Sequence, residues 1–164
     1  MADKTEDSIW MHCSNTAIRR AARQLGQLYD DCMDGTGLKG TQFALLSQIA
    51  STGEPALKQL AEAMVMDLSA LGHTLKPLIR DGYVELVPDM DDRRVKRARL
   101  TAFGKKTQQA LLANWQDAQS RFDRVFGKKR SEDIREALAF VSSPEFAVAF
   151  RGGGLTIDLQ SERA

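Results

Sequence analysis

The sequence predicts a mainly α fold with a small β wing, and three features between Leu57 and Thr101 carry that prediction. Leu57-Lys58-Gln59-Leu60-Ala61 opens a short helix whose apolar residues, continued by Met64, recur at helical spacing. After a tight turn, Asp67-Leu68-Ser69-Ala70-Leu71-Gly72-His73-Thr74-Leu75-Lys76 opens a second helix. Val84-Glu85-Leu86-Val87 and Lys96-Arg97-Ala98-Arg99-Leu100 then read as strands joined through Asp91-Asp92-Arg93-Arg94. Helix, turn, helix and basic ribbon in that order describe a winged helix-turn-helix, a device whose second helix enters the major groove of DNA.

Ahead of this module, Ile9, Cys13, Ala17, Ala21, Leu25, Leu28 and Cys32 step by threes and fours, flanked by Ile18, Ala22, Tyr29 and Met33. That spacing predicts one amphipathic helix over residues 8–34, about 40 Å long, with Ser8 as N-cap. Asp34-Gly35-Thr36-Gly37 ends it with turn residues. A helix of that length outreaches its own small domain, so one end is expected to pack on another chain. Thr41 to Ala50 reads as the next helix, with Phe43, Leu46 and Ile49 inward, and Ser51-Thr52-Gly53-Glu54-Pro55 breaks it.

Asp67 suits the N-cap of the second helix of the pair, because its carboxylate can accept from the first N–H groups. Leu68, Leu71, Leu75 and Leu78 form its expected inward face, and Pro77 predicts a bend or loosening at its middle. Asp81-Gly82 closes that helix, and Pro88-Asp89 starts the ribbon turn. Thr101 then caps a long helix carrying Leu111, Leu112, Trp115, Ala118, Phe122, Val125 and Phe126, which Gly127 stops. A last helix from Ser131 to about Phe150 carries Ile134, Leu138, Val141 and Phe146, with an interruption near Pro144.

The expected organisation is a dimerisation helix over 1–34, a winged helix-turn-helix DNA-binding domain over 35–104, C-terminal dimerisation helices over 105–150 and a flexible tail over 151–164. Three amphipathic segments bracketing one module would leave wide apolar faces in a monomer, which a two-fold dimer covers. Such a homodimer would also present two reading helices to successive major grooves, about 34–36 Å apart.

The chain has 164 residues, 43% of them hydrophobic and 27% charged, with a net charge of +1. That composition is ordinary for a soluble globular protein. It holds no run of roughly 18 apolar residues, and Met1-Ala2-Asp3-Lys4-Thr5-Glu6-Asp7 lacks a secretory pattern. A cytoplasmic protein without membrane contact is expected. Between Asp67 and Lys106, nine Lys or Arg oppose six Asp or Glu, which leaves a modest local basic face. Cys13 and Cys32 lie too far apart on one intact helix to form an intrachain disulfide, and with His12 and His73 they give no zinc-ligand spacing. No Cys-x-x-Cys, Gly-rich phosphate loop or Ser/His/Asp set is present, so neither a metal, a cofactor nor an enzyme is expected.

On the second helix of the pair, Ser69, Ala70, Gly72, His73, Thr74 and Lys76 are the candidate DNA-binding residues. Ala70 and Gly72 permit close backbone approach; Ser69, Thr74 and His73 can bond bases or phosphates; Lys76 can neutralise a phosphate. Taken singly they could coat any solvated helix, and only their place beside a basic ribbon favours DNA. At the ribbon, Arg93, Arg94 and Lys96 complete the set, since arginine suits the negative potential of a narrow minor groove. Asp92 reads as a partner that fixes the shape of the tip.

Leu60-Ala61-Glu62, Met66-Asp67, Leu75-Lys76-Pro77-Leu78-Ile79-Arg80-Asp81-Gly82-Tyr83-Val84, Asp89-Met90-Asp91-Asp92-Arg93-Arg94 and Leu100-Thr101-Ala102-Phe103-Gly104 together resemble the MarR family of bacterial transcriptional regulators. The resemblance runs from about Ser8 to Phe150, and the wing followed by Leu-Thr-x-x-Gly is its specific part. It implies a triangular homodimer on pseudo-palindromic double-stranded DNA, usually a repressor released by a small phenolic or other ligand, or by oxidation. By position it makes Asp92 and Arg94 the paired acid and base of the wing, with Arg94 in the minor groove. The chain departs from the family pattern at Gly72, His73, Asp91 and Val65, the last at a turn position where many relatives carry glycine.

Two further expectations follow from that resemblance. A small aromatic or anionic ligand would sit between the terminal helices and the DNA-binding lobe, where Arg19, Arg20, Arg23 and Tyr29 offer charge and hydrogen bonds, against the plainer reading that each arginine is exposed or pairs with an acid across the dimer. Alternatively, Cys13 beside His12 would sense peroxide, against the plainer reading of a small residue on an apolar stripe. A winged helix that binds protein rather than DNA is the remaining alternative.

Overall fold

The computed structural model describes residues 12–33, 35 and 37–152, and the expected Ser8 cap and most of the expected tail lie outside them. Seven helices and one two-stranded antiparallel ribbon make up the described residues, the mainly α architecture with a β wing that the sequence predicts. Helix α1 is Ser14–Cys32, and it starts there because Cys13 is extended, with φ −82° and ψ 105°. Its 19 residues make it about 28 Å long rather than the expected length of about 40 Å. Helix α2 is Gly40–Thr52. Lys39 stands at its N-cap, where the Lys39 N–H donates to Gln42 Oε1 at 2.9 Å. Gly40 N–H donates to Asp30 Oδ1 at 2.6 Å and ties the start of α2 to α1.

Helices α3 (Leu57–Ala63) and α4 (Leu68–Arg80) form the helix-turn-helix. Both end in the same capping pattern, in which a residue with positive φ lets two N–H groups turn back onto the last carbonyls. In α4 that residue is Gly82 at φ 79°, with Gly82 N–H donating to Ile79 O at 3.1 Å and Tyr83 N–H to Leu78 O at 2.9 Å. In α3 it is Val65 at φ 51°, with Val65 N–H donating to Glu62 O at 3.0 Å and Met66 N–H to Ala61 O at 2.9 Å. A β-branched residue therefore occupies a conformation that favours glycine, which strains the turn. Helix α4 runs on to Arg80 with Pro77 inside it.

Strands β1 (Val84–Pro88) and β2 (Lys96–Leu100) pair with Val84 opposite Leu100 and Pro88 opposite Lys96. A third backbone segment lies against β2: Ala56 bridges to Arg97, and Ala98 N–H donates to Pro55 O at 2.9 Å. Helix α5 (Ala102–Phe126) follows at once. Thr101 Oγ1 caps it by accepting from Gly104 N–H at 2.9 Å while lying 2.6 Å from Gly82 O, to which its hydroxyl donates. Gly104 is buried so closely against Tyr83 that an added Cβ would collide with the Tyr83 carbonyl oxygen and stand 2.9 Å from its carbon. The Leu-Thr-x-x-Gly signature is thus a joint between the end of α4, the wing and α5. Helices α6 (Lys128–Val141) and α7 (Pro144–Gly152) complete the chain, separated near Pro144 as expected, with α7 continuing through Arg151 and Gly152.

The chain divides into two compact units at Gln119/Ser120. In the first, Met33, Leu38, Phe43, Leu45, Leu46, Ile49, Leu60 and Ala61 join Leu71, Leu75, Leu78, Val84, Ala98, Leu100 and Leu111 in one hydrophobic core. Leu68, expected to face inward, is instead 57% exposed: it is the first residue of α4, and the buried face of that helix begins only at Leu71. In the second unit Ser131 is the one fully buried described residue, its hydroxyl donating to Gly127 O at 3.0 Å. Phe140 meets Phe146 edge-on at 5.5 Å, and Phe146 stacks near Phe150 at 5.9 Å. Among the described residues, no helix is long and apolar enough to cross a membrane.

Candidate nucleic-acid interface

Asp67 holds the start of α4 open in the way its residue type predicts, with Oδ1 accepting from Ala70 N–H at 2.7 Å. With Leu71, Leu75 and Leu78 buried, Ser69, Gly72, His73 and Lys76 lie exposed on the other side, and Ala70 and Thr74 are half-buried between. The Thr74 hydroxyl donates to Ala70 O at 3.1 Å, so toward an outside partner its oxygen is left to accept. An added Cβ at Gly72 would meet nothing within 4 Å. The fold does not need glycine at that position, although glycine inside a helix costs up to about 1 kcal/mol relative to alanine.

The tip of the wing is built from acid-to-backbone bonds. Asp89 Oδ1 accepts from Asp91 N–H at 2.8 Å and Asp92 N–H at 3.1 Å. Asp92 Oδ1 accepts from Arg94 N–H at 3.0 Å and from Arg94 Nε at 3.1 Å. Asp92 thus fixes the tip by pairing with Arg94, whose side chain stays 92% exposed. Arg93 and Lys96 are exposed and make no ion pair among the described residues. These amides and the Arg97 guanidinium pull the Asp89 carboxyl down from 3.8 to about 2, the Asp92 amide most strongly. A folded-state value below the ordinary one favours the folded wing above about pH 4 and loses that effect as pH falls through about 2.

Residue type alone does not distinguish the roles of the ribbon's basic side chains, and the structure separates them. Arg97 pairs with Asp89 and donates through Nη1 to Glu54 O at 2.7 Å. Arg99 pairs with Glu85 at 2.9 Å and with Glu54 at 3.5 Å. These two arginines brace the wing, while Arg93, Arg94 and Lys96 stand outward. The pairing register carries the signal that separates them: Glu85 lies directly opposite Arg99, and Asp89 lies diagonal to Arg97.

Of the other candidate residues, Arg19, Arg20 and Arg23 are exposed on α1, and the Tyr29 hydroxyl donates to Gln119 Oε1 at 3.0 Å. Cys13 and Cys32 are both free and half-buried. Hydrogen bonding from Thr16 holds the Cys13 thiol below its ordinary pKa, although no side-chain bond of ordinary geometry closes that helix cap.

A profile of the MarR family matches residues 38–96, which covers α2 through the start of β2. A comparison with curated proteins gave no match. The solved structure of the Mycobacterium tuberculosis transcriptional regulator MosR in complex with DNA is 31% identical, with a TM-score of 0.75 over 85% of this chain and 99% of that one. The transcriptional repressor CouR, bound to a 23-mer DNA duplex, is 17% identical with a TM-score of 0.73 over 81% of this chain and 94% of its own. Bordetella bronchiseptica BpsR, whose DNA binding is regulated by 6-hydroxynicotinic acid, is 17% identical with a TM-score of 0.72 over 80% of this chain and 94% of its own. The last two likenesses speak for the fold alone, whereas the first extends to sequence along almost the whole of the relative. With its winged helix, its matched profile and that relative, the chain belongs to the MarR family of transcriptional regulators.

Proposed function

We propose that the chain is a homodimeric, sequence-specific repressor that binds pseudo-palindromic double-stranded operators and lets go when a small aromatic or anionic ligand binds. It acts in the cytoplasm by occupancy rather than catalysis. One observation carries this reading: a reading helix with an open polar face and a hairpin tip with outward arginines share one hydrophobic core. Ser69, Ala70, Gly72, His73, Thr74 and Lys76 then meet the major groove, Arg93 and Arg94 enter the minor groove, and Lys96 neutralises a phosphate. The DNA in the MosR and CouR structures supports the partner, the description of CouR as a repressor supports the sign, and the acid that regulates BpsR supports the ligand class.

The dimer reading draws on the second unit, where Val125 is 87%, Val148 70% and Phe150 78% exposed in the single chain. Side chains of this size left in water favour an apolar partner surface, and a second copy supplies a matched one. Residues 1–34 and 105–150 are accordingly assigned to dimerisation and 35–104 to DNA. Arg19, Arg20, Arg23 and Tyr29 are assigned to the ligand.

Selection of bound sites from random duplexes, with stoichiometry from sedimentation, tests the proposal. Two chains per duplex and half-sites one helical turn apart, about 10 base pairs, are expected. Affinity should fall by about 0.9 log units per log unit of salt for each phosphate contact. A strictly single-subunit protein, or a complex indifferent to salt, would refute it and favour a protein-binding winged helix. Titration calorimetry against aromatic acids tests release, and the absence of heat from every acid would remove the ligand.

The lowered pKa of Cys13 favours one second reading, release by peroxide through the thiolate. Peroxide release that persists in Cys13→Ser would end it.

A further inference from the structure

We infer, on the DNA-binding reading above, that Asp89 and Arg97 are a positioning pair: without touching DNA, they set where the wing tip stands relative to α4 and so govern recognition at the outer, wing-contacted positions of the operator. The Asp89 carboxylate divides its two oxygens between neighbours. One accepts the Asp91 and Asp92 amides at 2.8 and 3.1 Å and shapes the tip that carries Arg93 and Arg94. The other accepts from Arg97 Nε. Arg97 reaches the other way through Nη1, 2.7 Å from the carbonyl of Glu54, immediately ahead of α3. The Ala56–Arg97 bridge and the bond from Ala98 N–H to Pro55 O fix that same seam through the backbone.

A continuous path of bonds therefore runs from the tip amides through Asp89 and Arg97 to the entry of the helix-turn-helix. The pair is sheltered, with the side chain of Asp89 11% and of Arg97 36% exposed, against 92% for Arg94. Two of Arg97's donors are already engaged, and Asp89 balances its charge. Arg97 is thus ill-suited to act as one more phosphate contact and well suited to fix an angle.

Asp89→Asn tests this with an effect of unusual sign. Asparagine keeps an oxygen for the Asp91 and Asp92 amides but cannot accept from Arg97 with its NH2. It also removes a negative charge beside DNA, so charge alone predicts tighter binding. The positioning role instead predicts affinity lower by about tenfold, the scale of one hydrogen bond to a charged group. Site selection should then show preference lost at the flanking positions and kept at the inner ones. The salt slope should also flatten, because tip arginines that leave the minor groove release fewer counterions on binding. Arg97→Lys should behave alike, because it keeps the charge but not the two-way reach of the guanidinium. A single cooperative thermal transition, lowered by the lost Asp89–Arg97 bond but still well above the temperature of the binding assay, separates positioning from a failure of the fold in either variant. Equal or tighter binding by a folded Asp89→Asn, or a folded Arg97→Lys with flanking preference intact, would overturn the inference and leave the DNA-binding reading standing. If the unaltered protein bound no duplex, that reading would itself fail and this inference with it.

Discussion

The lobe from Leu38 to Leu111 and the helices after Ala118 use apolar residues in opposite ways. In the lobe, α2, α3, α4, the ribbon and the start of α5 bury their large side chains against one another within a single chain. After Ala118 the residues Val125, Leu138, Val141, Val148 and Phe150 all keep substantial exposure, and α1 contains no fully buried residue. Full burial of each such side chain stabilises by roughly 1.5–3 kcal/mol. The lobe collects that term on its own, whereas the terminal helices collect it only against a further surface. If the terminal helices assemble on a second copy, folding of the lobe and assembly are separate contributions, and protein concentration tells them apart.

The sharpest way to break this contrast is a pair of truncations. Leu46→Ala removes a fully buried side chain and should cost roughly 2–5 kcal/mol at any protein concentration. Phe150→Ser alters a residue 78% exposed in the single chain, where a surface change falls within about 0.5 kcal/mol. If the terminal helices assemble, Phe150→Ser should instead lower Tm most at high protein concentration and raise the dissociation constant of the dimer. A Tm independent of concentration in the unaltered protein would erase the distinction.

Gly104→Ala comes next, with an expected loss of about 3 kcal/mol in urea unfolding, because a Cβ there overlaps the Tyr83 carbonyl and backbone cannot rotate aside. That joint belongs wholly to the lobe, so the loss should not vary with concentration.

Much of the lobe was legible because its signals are local. Leu71, Leu75 and Leu78 mark the buried face of α4 by spacing, and Asp67 and Thr101 mark helix starts by residue type. Leu68 continues the same spacing but is exposed, because spacing alone does not reveal at which turn of α4 burial begins. The arginines of the ribbon were beyond such reading for a different reason. Arg93, Arg94, Arg97 and Arg99 are chemically identical, and only the register of a hairpin decides which meet Asp89, Glu85 or Glu54. The length of α1 turned on the extended backbone at Cys13, which an apolar stripe running straight past that residue conceals.

Gly72→Ala should move stability and binding in opposite directions. The site has room for a methyl group, so the helix should gain up to about 1 kcal/mol. The same methyl projects from the reading face, so affinity for the selected operator should fall. A rise in stability with affinity unchanged would take Gly72 out of the interface.

The smallest expected effect isolates the strain in the turn. Val65 and Gly82 occupy equivalent places at the ends of α3 and α4, with φ of 51° and 79° and the same pair of returning N–H bonds. The left-handed conformation costs a side-chain-bearing residue about 1–2 kcal/mol, and Val65 has no burial to offset it, being 69% exposed. Val65→Gly relieves that strain but adds chain entropy to the unfolded state, worth about 0.5–1 kcal/mol. The net expectation is a stabilisation of about 0.5 kcal/mol, read as a higher urea midpoint at unchanged slope. If the midpoint instead fell, the side chain of Val65 would be holding the turn through contacts that outweigh its backbone strain, and the two helix ends would be alike in hydrogen bonding but not in what stabilises them.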